Sequence, residues 1–295
     1  MSELLESVLR GLGQGSVYAL LAIGFVIIYK SSSVISFAQP AMMLSGAVIV
    51  SYLSPSVGFF AALGLGAVAM AGVGLGVERV FIRPMVGRPV FVIAIITIGL
   101  DIAIRVIANG FIGLGARPIG DPWGLSRFEV AGVAMQWRHV AMIITTAIVL
   151  AALYLFFRFT RHGLAMRATA FDQEAALTQG VSVGSVFAMS WAMAAGIAAI
   201  AGALLATGAG VDRQLWIVTL VALPAIILGG LDSLEGAVVG GLAVGLVESL
   251  VGTYQGDLAP WLGNNFESVS AYALMLLVLL VRPYGIWGTP EVKRV

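Results

Sequence analysis

Long apolar runs that follow one another constrain this chain more than any other feature. The clearest runs cover 8–29, 57–77, 90–108, 139–157, 184–206 and 267–281. The hydrocarbon core of a bilayer is about 30 Å thick and takes roughly 20 helical residues to cross. Helices suit that environment because their backbone amides are hydrogen-bonded within the segment. The sequence therefore predicts an all-α, polytopic transmembrane helical bundle.

The composition agrees with this fold class. Mean hydropathy is +1.01, and only 11% of the 295 residues are charged. A transmembrane β-barrel is excluded because barrel strands alternate apolar and polar residues, whereas these runs are continuously apolar. Three further apolar stretches, 40–53, 216–231 and 236–252, are shorter or interrupted by glycine. We expect about eight or nine membrane segments, one of them broken or re-entrant, in a single domain over 1–295.

Several functions are disfavoured by what the sequence lacks. There is no cysteine, which excludes disulfides and thiolate metal sites. His139 and His162 have no carboxylates at catalytic or ligand spacing, so neither an enzyme nor a metal site is predicted. A phosphate loop of the form G-x-x-x-x-G-K-[ST] is also missing, so we expect no cofactor on this chain. The net charge of +1 gives no reason to expect nucleic acid as a partner.

The distribution of basic residues predicts an orientation, because lysine and arginine near span ends favour the cytoplasmic side. If the amino terminus lies outside, most basic residues fall on inner segments: Lys30, Arg79, Arg83, Arg88, Arg158, Arg161, Arg167, Arg282, Lys293 and Arg294. Fewer fall outside: Arg10, Arg117, Arg127, Arg138 and Arg213. This threading makes 109–138 an external loop and 158–183 a cytoplasmic loop. The external loop is either a docking place for a soluble partner or a plain connection.

A polar segment, "RATAFDQEAALTQG" at 167–180, interrupts the apolar sequence on the inner side. Its alanine, glutamine, glutamate and leucine residues favour a helix, bounded by Gly163 and Gly180. On one continuous helix, a face of small residues with one aromatic ring would form from Ala168, Phe171, Ala175 and Ala176. Helices that lie on lipid headgroups carry basic and bulky apolar residues instead. The segment therefore predicts a cytoplasmic docking helix, with an amphipathic connector that lies on the lipid headgroups as the alternative.

The same segment resembles the ATPase-contacting loop of ABC import permeases of the branched-chain amino acid type. Further stretches resemble that family in the family's order: "GLGQGSVYALLAIGFVIIY" (11–29), "ERVFIRPMVGRPVFVIAIITIGL" (78–100), "ILGGLDSLEGAVVGGLAVGLVESL" (227–250) and "VRPYGIWG" (281–288). The resemblance covers most of the chain. It implies that the coupling residues in this segment are Arg167, Phe171, Asp172, Glu174, Ala175 and Gly180.

The resemblance also implies partners and a location. We expect a related second permease subunit, two cytoplasmic ATPases that bind ATP and Mg, and an extracytoplasmic solute-binding protein. The expected location is a bacterial inner membrane, where the chain also contacts lipid. The implied solute is a branched-chain or other amino acid, an amide, urea or a small carboxylate. A channel or an ion-coupled secondary transporter is the alternative, because such proteins also use broken helices and buried charges.

A candidate pathway element lies at 29–46, "YKSSSVISFAQPAMMLSG". Its serines, Gln39 and Pro40 precede an apolar run that is short for a span. Irregular polar backbone at membrane depth is tolerated where it lines a protein cavity, which predicts Phe37 and Gln39 as pathway residues. In the alternative, Pro40 simply opens the next helix at its first turn.

The second pathway candidate lies in the 90–108 run. Asp101 and Arg105 are four residues apart, so on a helix they share a face and can pair. An unpaired charge at this depth costs on the order of 2.5–3.5 kcal/mol, so Asp101 needs a partner or a wet cavity. Thr97 lies on the same helix. We predict Thr97 and Asp101 as pathway residues, with a purely structural Asp101–Arg105 pair as the alternative.

Overall fold

A computed structural model describes residues 2–85, 88–130, 133–262 and 266–289, and these are mostly helical. The helices are α1 Ser2–Ser32, α2 Gln39–Val57, α3 Phe59–Val77, α4 Val90–Ile112, α5 Trp137–Phe159, α6 Arg161–Phe171, α7 Gln173–Thr178, α8 Val183–Leu205, α9 Val218–Gly229, α10 Leu234–Leu258 and α11 Phe266–Val281. Among the described residues, seven helices are long and apolar enough to cross a membrane. Two shorter apolar helices, Leu215–Gly229 and Phe266–Val281, accompany them. The predicted all-α bundle is confirmed.

Helix α1 forms the centre of the bundle, and its apolar side chains are almost all buried. It runs antiparallel to α10. Ser249 of α10 donates a hydrogen bond to the carbonyl oxygen of Ser7 at 2.6 Å, and Gly241, earlier on α10, lies against Gly15, later on α1. The two backbones approach closely where glycines face each other. A Cβ on Gly15 would lie 2.9 Å from the carbonyl oxygen of Gly241. The glycine repeat thus permits close packing without breaking α10, which is continuous where the sequence predicted an interrupted run over 236–252.

Helix α2 begins halfway along its neighbours. Gln39, its first residue, contacts Ala194 in the middle of α8, and Ala41 contacts Asp101 in the middle of α4. The preceding residues 33–38 are non-helical. The predicted broken element is therefore a real break between α1 and α2. Its helix is longer than the predicted 40–53 run, because it continues to Val57.

The two long loops lie at opposite ends of the bundle, as the predicted threading requires. At one end, Gln173 of α7 donates to the carbonyl oxygen of Ser31 at the close of α1, at 2.9 Å. At the other end, Arg117 of the 109–138 loop pairs with Val211, just beyond the end of α8, as an isolated β-bridge. Lys293 and Arg294, which the orientation argument used, lie outside the described residues.

The 109–138 loop contains a two-stranded antiparallel hairpin that the sequence did not predict. Its strands are β1 Arg127–Val130 and β2 Val133–Gln136. The ring of Phe128 packs on Trp137, the first residue of α5, with ring centroids 4.3 Å apart. Strands of four residues carry too short an alternation to stand out in the sequence. The hairpin leads directly into α5.

Candidate pathway junction and coupling segment

The start of α2 is capped by side chains of another helix. The first backbone N–H groups of a helix have no partner within it. Ala38 at the N-cap position has no side chain that could accept a hydrogen bond. Helix α4 supplies the acceptors instead: the N–H of Phe37 donates to Thr97 Oγ1 at 3.1 Å, and the N–H of Ala41 donates to Asp101 Oδ1 at 3.0 Å. The carboxylate also meets the positive end of the α2 dipole.

Asp101 has a second partner on its own helix. Its Oδ2 lies 2.9 Å from Arg105 Nη2, which confirms the predicted pair. The guanidinium carbon of Arg105 in turn lies 3.8 Å from the ring centroid of Trp216, a cation–π contact with the turn before α9. Asp101 is only 8% exposed, and Arg105 compensates its charge inside the protein. These contacts join α2, α4 and the start of α9 into one unit.

Gln39 occupies the third side of this junction. Its side chain is fully buried, and its Nε2 donates to the carbonyl oxygen of Ala194 at 3.3 Å. The Gln39 side chain packs against Gly24 of α1. A Cβ on Gly24 would overlap the side-chain amide of Gln39. Its Oε1 and the hydroxyl of Ser36 are buried and have no hydrogen-bond partner among the described residues. Unpaired polar atoms therefore remain in the interior beside the break.

The structure brings the four predicted pathway residues together, but they differ in exposure. Gln39 and Thr97 are fully buried and Asp101 nearly so, whereas the side chain of Phe37 is 37% exposed. Three of these residues therefore hold the start of α2 in place. Phe37 is the one whose side chain reaches the surface of the chain.

The coupling segment 167–180 is two helices, so the prediction of one continuous helix is wrong. Helix α6 ends at Phe171, and Asp172 has an extended backbone with φ −155° and ψ 110°. The Asp172 carboxylate then caps α7, because its Oδ1 accepts a hydrogen bond from the N–H of Ala175 at 2.9 Å. The break also changes the predicted docking face: Ala176 is buried, whereas Phe171 is 96% exposed.

All six predicted coupling residues lie on the surface at this end of the bundle: Arg167, Phe171, Asp172, Glu174, Ala175 and Gly180. Gly180 closes α7 with a φ of +80°, a conformation that other residues rarely adopt. The hydrogen bond from Gln173 to Ser31 ties the segment to the close of α1. An exposed aromatic ring with acidic neighbours therefore stands on a segment attached to the central helix.

Two contacts were not predicted from the sequence. Trp216 lies far along the chain from Arg105, and the signal was indirect, because a partly buried arginine takes a second contact besides its carboxylate. The ion pair of Glu78 and Arg83, whose atoms lie 3.1 Å apart, was not predicted either. Arg83 donates to the carbonyl oxygen of Gly184 as well, at 3.0 Å, which joins the inner end of α3 to the start of α8.

The apolar helices, the helix break at mid-depth and the polar atoms beside it define a multi-pass membrane protein of the transporter class. Within that class the chain belongs to a named family. Residues 7–279 match the family described as branched-chain amino acid transport system / permease component. The resemblance found in the sequence is confirmed, and the chain is a permease subunit of a transport system.

Relatives support the assignment along the whole chain. The chain is 31% identical to the high-affinity branched-chain amino acid transport system permease protein LivH of Salmonella typhimurium, over 99% of this chain and 97% of that protein. It is 30% identical to the corresponding permease protein BraD of Pseudomonas aeruginosa, over 99% and 98%. A solved structure, PsaBC from Streptococcus pneumoniae in complex with Fab, aligns with a TM-score of 0.51 over 97% of this chain and 92% of that chain. At 14% identity, that likeness shows a shared fold.

Proposed function

We propose that this chain is a permease subunit of an ATP-driven ABC importer in a bacterial inner membrane, and that it helps to carry a branched-chain or related amino acid inward. The names of its relatives support the solute class. The observation that carries the coupling proposal is the exposed ring of Phe171 at the inner end of the bundle. In this proposal, ATP and Mg bind to separate ATPase subunits.

The exposure of Phe171 favours a docked partner. Full burial of a phenylalanine side chain contributes about 1.5–3 kcal/mol, so a ring left 96% exposed is a potential anchor for another protein. Its neighbours Asp172 and Glu174 are exposed carboxylates, and aromatic anchors within polar rims are typical of protein interfaces. We therefore assign the turn between α6 and α7 to the ATPase contact.

A route from that contact into the membrane runs through α1. Gln173 is bonded to Ser31, and α1 ends one residue later at the start of the break 33–38. The break leads to the start of α2, where Phe37 is exposed. We propose that movement of α6 and α7 shifts this junction. Phe37 would line the pathway together with the second permease subunit, while Gln39, Thr97 and Asp101 position it.

The partners can be identified by purifying the tagged chain from its native membrane in mild detergent. Mass spectrometry of the complex should find two ATPase subunits and a related second permease. In liposomes, with the solute-binding protein added on the opposite face, this complex should take up radiolabelled L-leucine only when ATP is supplied on the cytoplasmic face. A chain that is recovered alone and moves leucine without ATP would be a channel or secondary transporter, which is the alternative function.

The coupling role is tested by Phe171→Ala against the matched control Phe159→Ala. Both rings are strongly exposed, at 96% and 71%, but Phe159 ends α5 and lies outside the proposed contact. Loss of the anchor should lower ATP-dependent leucine uptake by at least about tenfold, because tenfold corresponds to about 1.4 kcal/mol and full burial of a phenylalanine contributes about 1.5–3 kcal/mol. Phe159→Ala should leave uptake near the unmodified level. Equal uptake by both variants would remove Phe171 from the contact.

A further inference from the structure

A polar cleft of about 510 Å³ opens at the outer end of the bundle, away from the α2 junction. It lies where α1 begins, α5 begins, α10 ends and α11 begins. Its charged and polar lining includes Arg10, Tyr18, Arg138, Glu248, Ser249 and Glu267. Four charged side chains, Arg10, Arg138, Glu248 and Glu267, come from four different helices and meet in one opening on the side of the external loop.

The positive side of the cleft is built from two arginines. Arg10 is held by α10: its Nε donates to Ser249 Oγ at 3.0 Å, and its Nη2 donates to Thr253 Oγ1 at 2.6 Å. Arg138 lies close enough for the two positive charges to interact unfavourably. The Nε of Arg138 is buried and has no hydrogen-bond partner among the described residues. Asp121 attracts Arg138 electrostatically, but in the part of the chain that the structure describes neither guanidinium group forms an ion pair with a carboxylate.

The negative side is built from two carboxylates. Glu248 is only 6% exposed and lies beside Tyr18 of α1. Glu267 of α11 packs against Gly252, which lies one turn beyond Glu248 on α10. A Cβ on Gly252 would lie 2.8 Å from Glu267 Oε2. The two glutamates interact electrostatically with each other. Their proximity concentrates negative charge on this wall.

The two walls are not paired with each other. Over residues 2–85, 88–130, 133–262 and 266–289, the ion pairs join Glu78 to Arg83 and Asp101 to Arg105. Like charges held together out of bulk water are unfavourable unless an opposite charge compensates them. A solute that carries both signs compensates both walls at once. An α-amino acid is such a solute, because its carboxylate suits a guanidinium fork and its ammonium group suits a carboxylate.

We propose that this cleft is a binding site for zwitterionic α-amino acids, with Arg10 and Arg138 on the carboxylate and Glu248 and Glu267 on the ammonium group. The inference rests on the proposed function, which it sharpens by naming a site and a chemical class. Urea and simple amides carry neither charge, and simple carboxylates lack the ammonium group. The cleft therefore selects amino acids among the solutes that the family resemblance leaves open.

The absence of cysteine makes a direct occupancy test possible. Ser268 lines the cleft, and Ser268→Cys places a single thiol there on this chain. In the purified complex, labelling of this thiol by a maleimide should slow about fourfold when L-leucine is present at about three times its dissociation constant. L-leucinamide, which lacks the carboxylate, and 4-methylpentanoate, which lacks the ammonium group, should protect far less at the same concentration. Ser126→Cys, exposed on the external loop, is the matched control and should show no protection.

Charge variants identify the walls. In the Ser268→Cys background, Arg138→Gln and Glu248→Gln should each abolish protection by leucine, measured as the ratio of the labelling rates of the same variant with and without leucine. Arg213 is an exposed arginine outside the cleft, so Arg213→Gln should keep the protection by leucine. Equal protection by all three compounds, or no protection in a complex that takes up leucine with ATP, would overturn the inference. Protection as expected in a complex without ATP-dependent uptake would retain the cleft and reject the proposed function.

Discussion

The break before α2 and the break between α6 and α7 differ in which groups satisfy the hydrogen bonds of their backbone. The break before α2 lies inside the bundle, and Thr97 and Asp101 of α4 accept its N–H groups. The break between α6 and α7 lies at the exposed end, and Asp172 caps the new helix with its own carboxylate. A break at membrane depth has no water to hydrogen-bond its backbone, so neighbouring helices must supply the partners.

Two aspartates therefore perform the same local chemistry with different consequences. Asp101 caps a helix that lies 60 residues earlier in the chain and also neutralises Arg105, whereas Asp172 bonds the amide three residues ahead. Asp101 is nearly buried and Asp172 is exposed. The buried cap formed by Asp101 should hold the fold, and the exposed cap formed by Asp172 should shape only a surface segment.

The largest effect is expected for Asp101→Ala. This change leaves the Ala41 N–H without its acceptor and Arg105 without its carboxylate, and removing one member of a buried pair costs about 3–5 kcal/mol. The free energy of unfolding of the purified chain, measured in mixed micelles of SDS and a mild detergent, should fall by that amount. Asp101→Asn keeps an oxygen for the Ala41 N–H and should lose less. Equal stability of Asp101→Ala and the unmodified chain would refute the capping role.

The next effect concerns the space that Gln39 occupies. Gly24→Ala places a methyl group where the Gln39 amide lies and should destabilise the chain by about 1–3 kcal/mol through overpacking. Gly64→Ala is the matched control, since nothing lies within 4 Å of a Cβ there. Alanine favours a helix over glycine, so the control should be stabilised by up to about 1 kcal/mol. The same unfolding assay measures both, and a stabilised Gly24→Ala would contradict the tight fit.

A smaller effect is expected for Asp172→Ala at the exposed break between α6 and α7. Loss of an N-cap costs about 1 kcal/mol of local helix stability. Amide hydrogen exchange should therefore quicken in α7, while α2 and α4 keep their protection. Asp172→Asn preserves a capping oxygen and should exchange like the unmodified chain. Faster exchange that extends into α2 would mean that the two breaks are not separable.

The smallest effect on stability, about 0.5 kcal/mol, is expected for Glu174→Arg, because Glu174 is exposed and its charge interacts only weakly with the dipole of the first turn of α7. Its functional effect should nevertheless be clear, since a charge reversal in the ATPase contact should uncouple ATP hydrolysis from leucine uptake. Gln179→Arg, also exposed but just beyond α7, should remain coupled. Unchanged coupling in Glu174→Arg would remove this residue from the contact.

The sequence predicted those features that depend on local spacing. Apolar runs gave the helices, and the four-residue spacing of Asp101 and Arg105 gave their ion pair. The cap on α2 could not be predicted, because it joins two helices whose contact no local pattern reveals. The outer cleft has the same origin, since Arg10, Arg138, Glu248 and Glu267 come from four helices and meet only in the folded chain.

The break at Asp172 was missed for a different reason. An aspartate before glutamine and glutamate is an N-cap pattern, so the signal was present in the sequence. The alanines at helical spacing on both sides of it favoured one continuous helix instead. Tertiary contacts decided the outcome, because Gln173 is bonded to Ser31 and Ala176 packs inward.

If the exposed turn between α6 and α7 contacts an ATPase, photo-crosslinking from that turn should capture the contact. A benzophenone amino acid at Phe171, in the complex purified from its native membrane, should give an adduct with the ATPase subunit upon illumination. The same probe at Phe159 should not. An adduct at Phe171 alone is the predicted result. No ATPase adduct at Phe171, or equal adducts at both positions, would contradict the account.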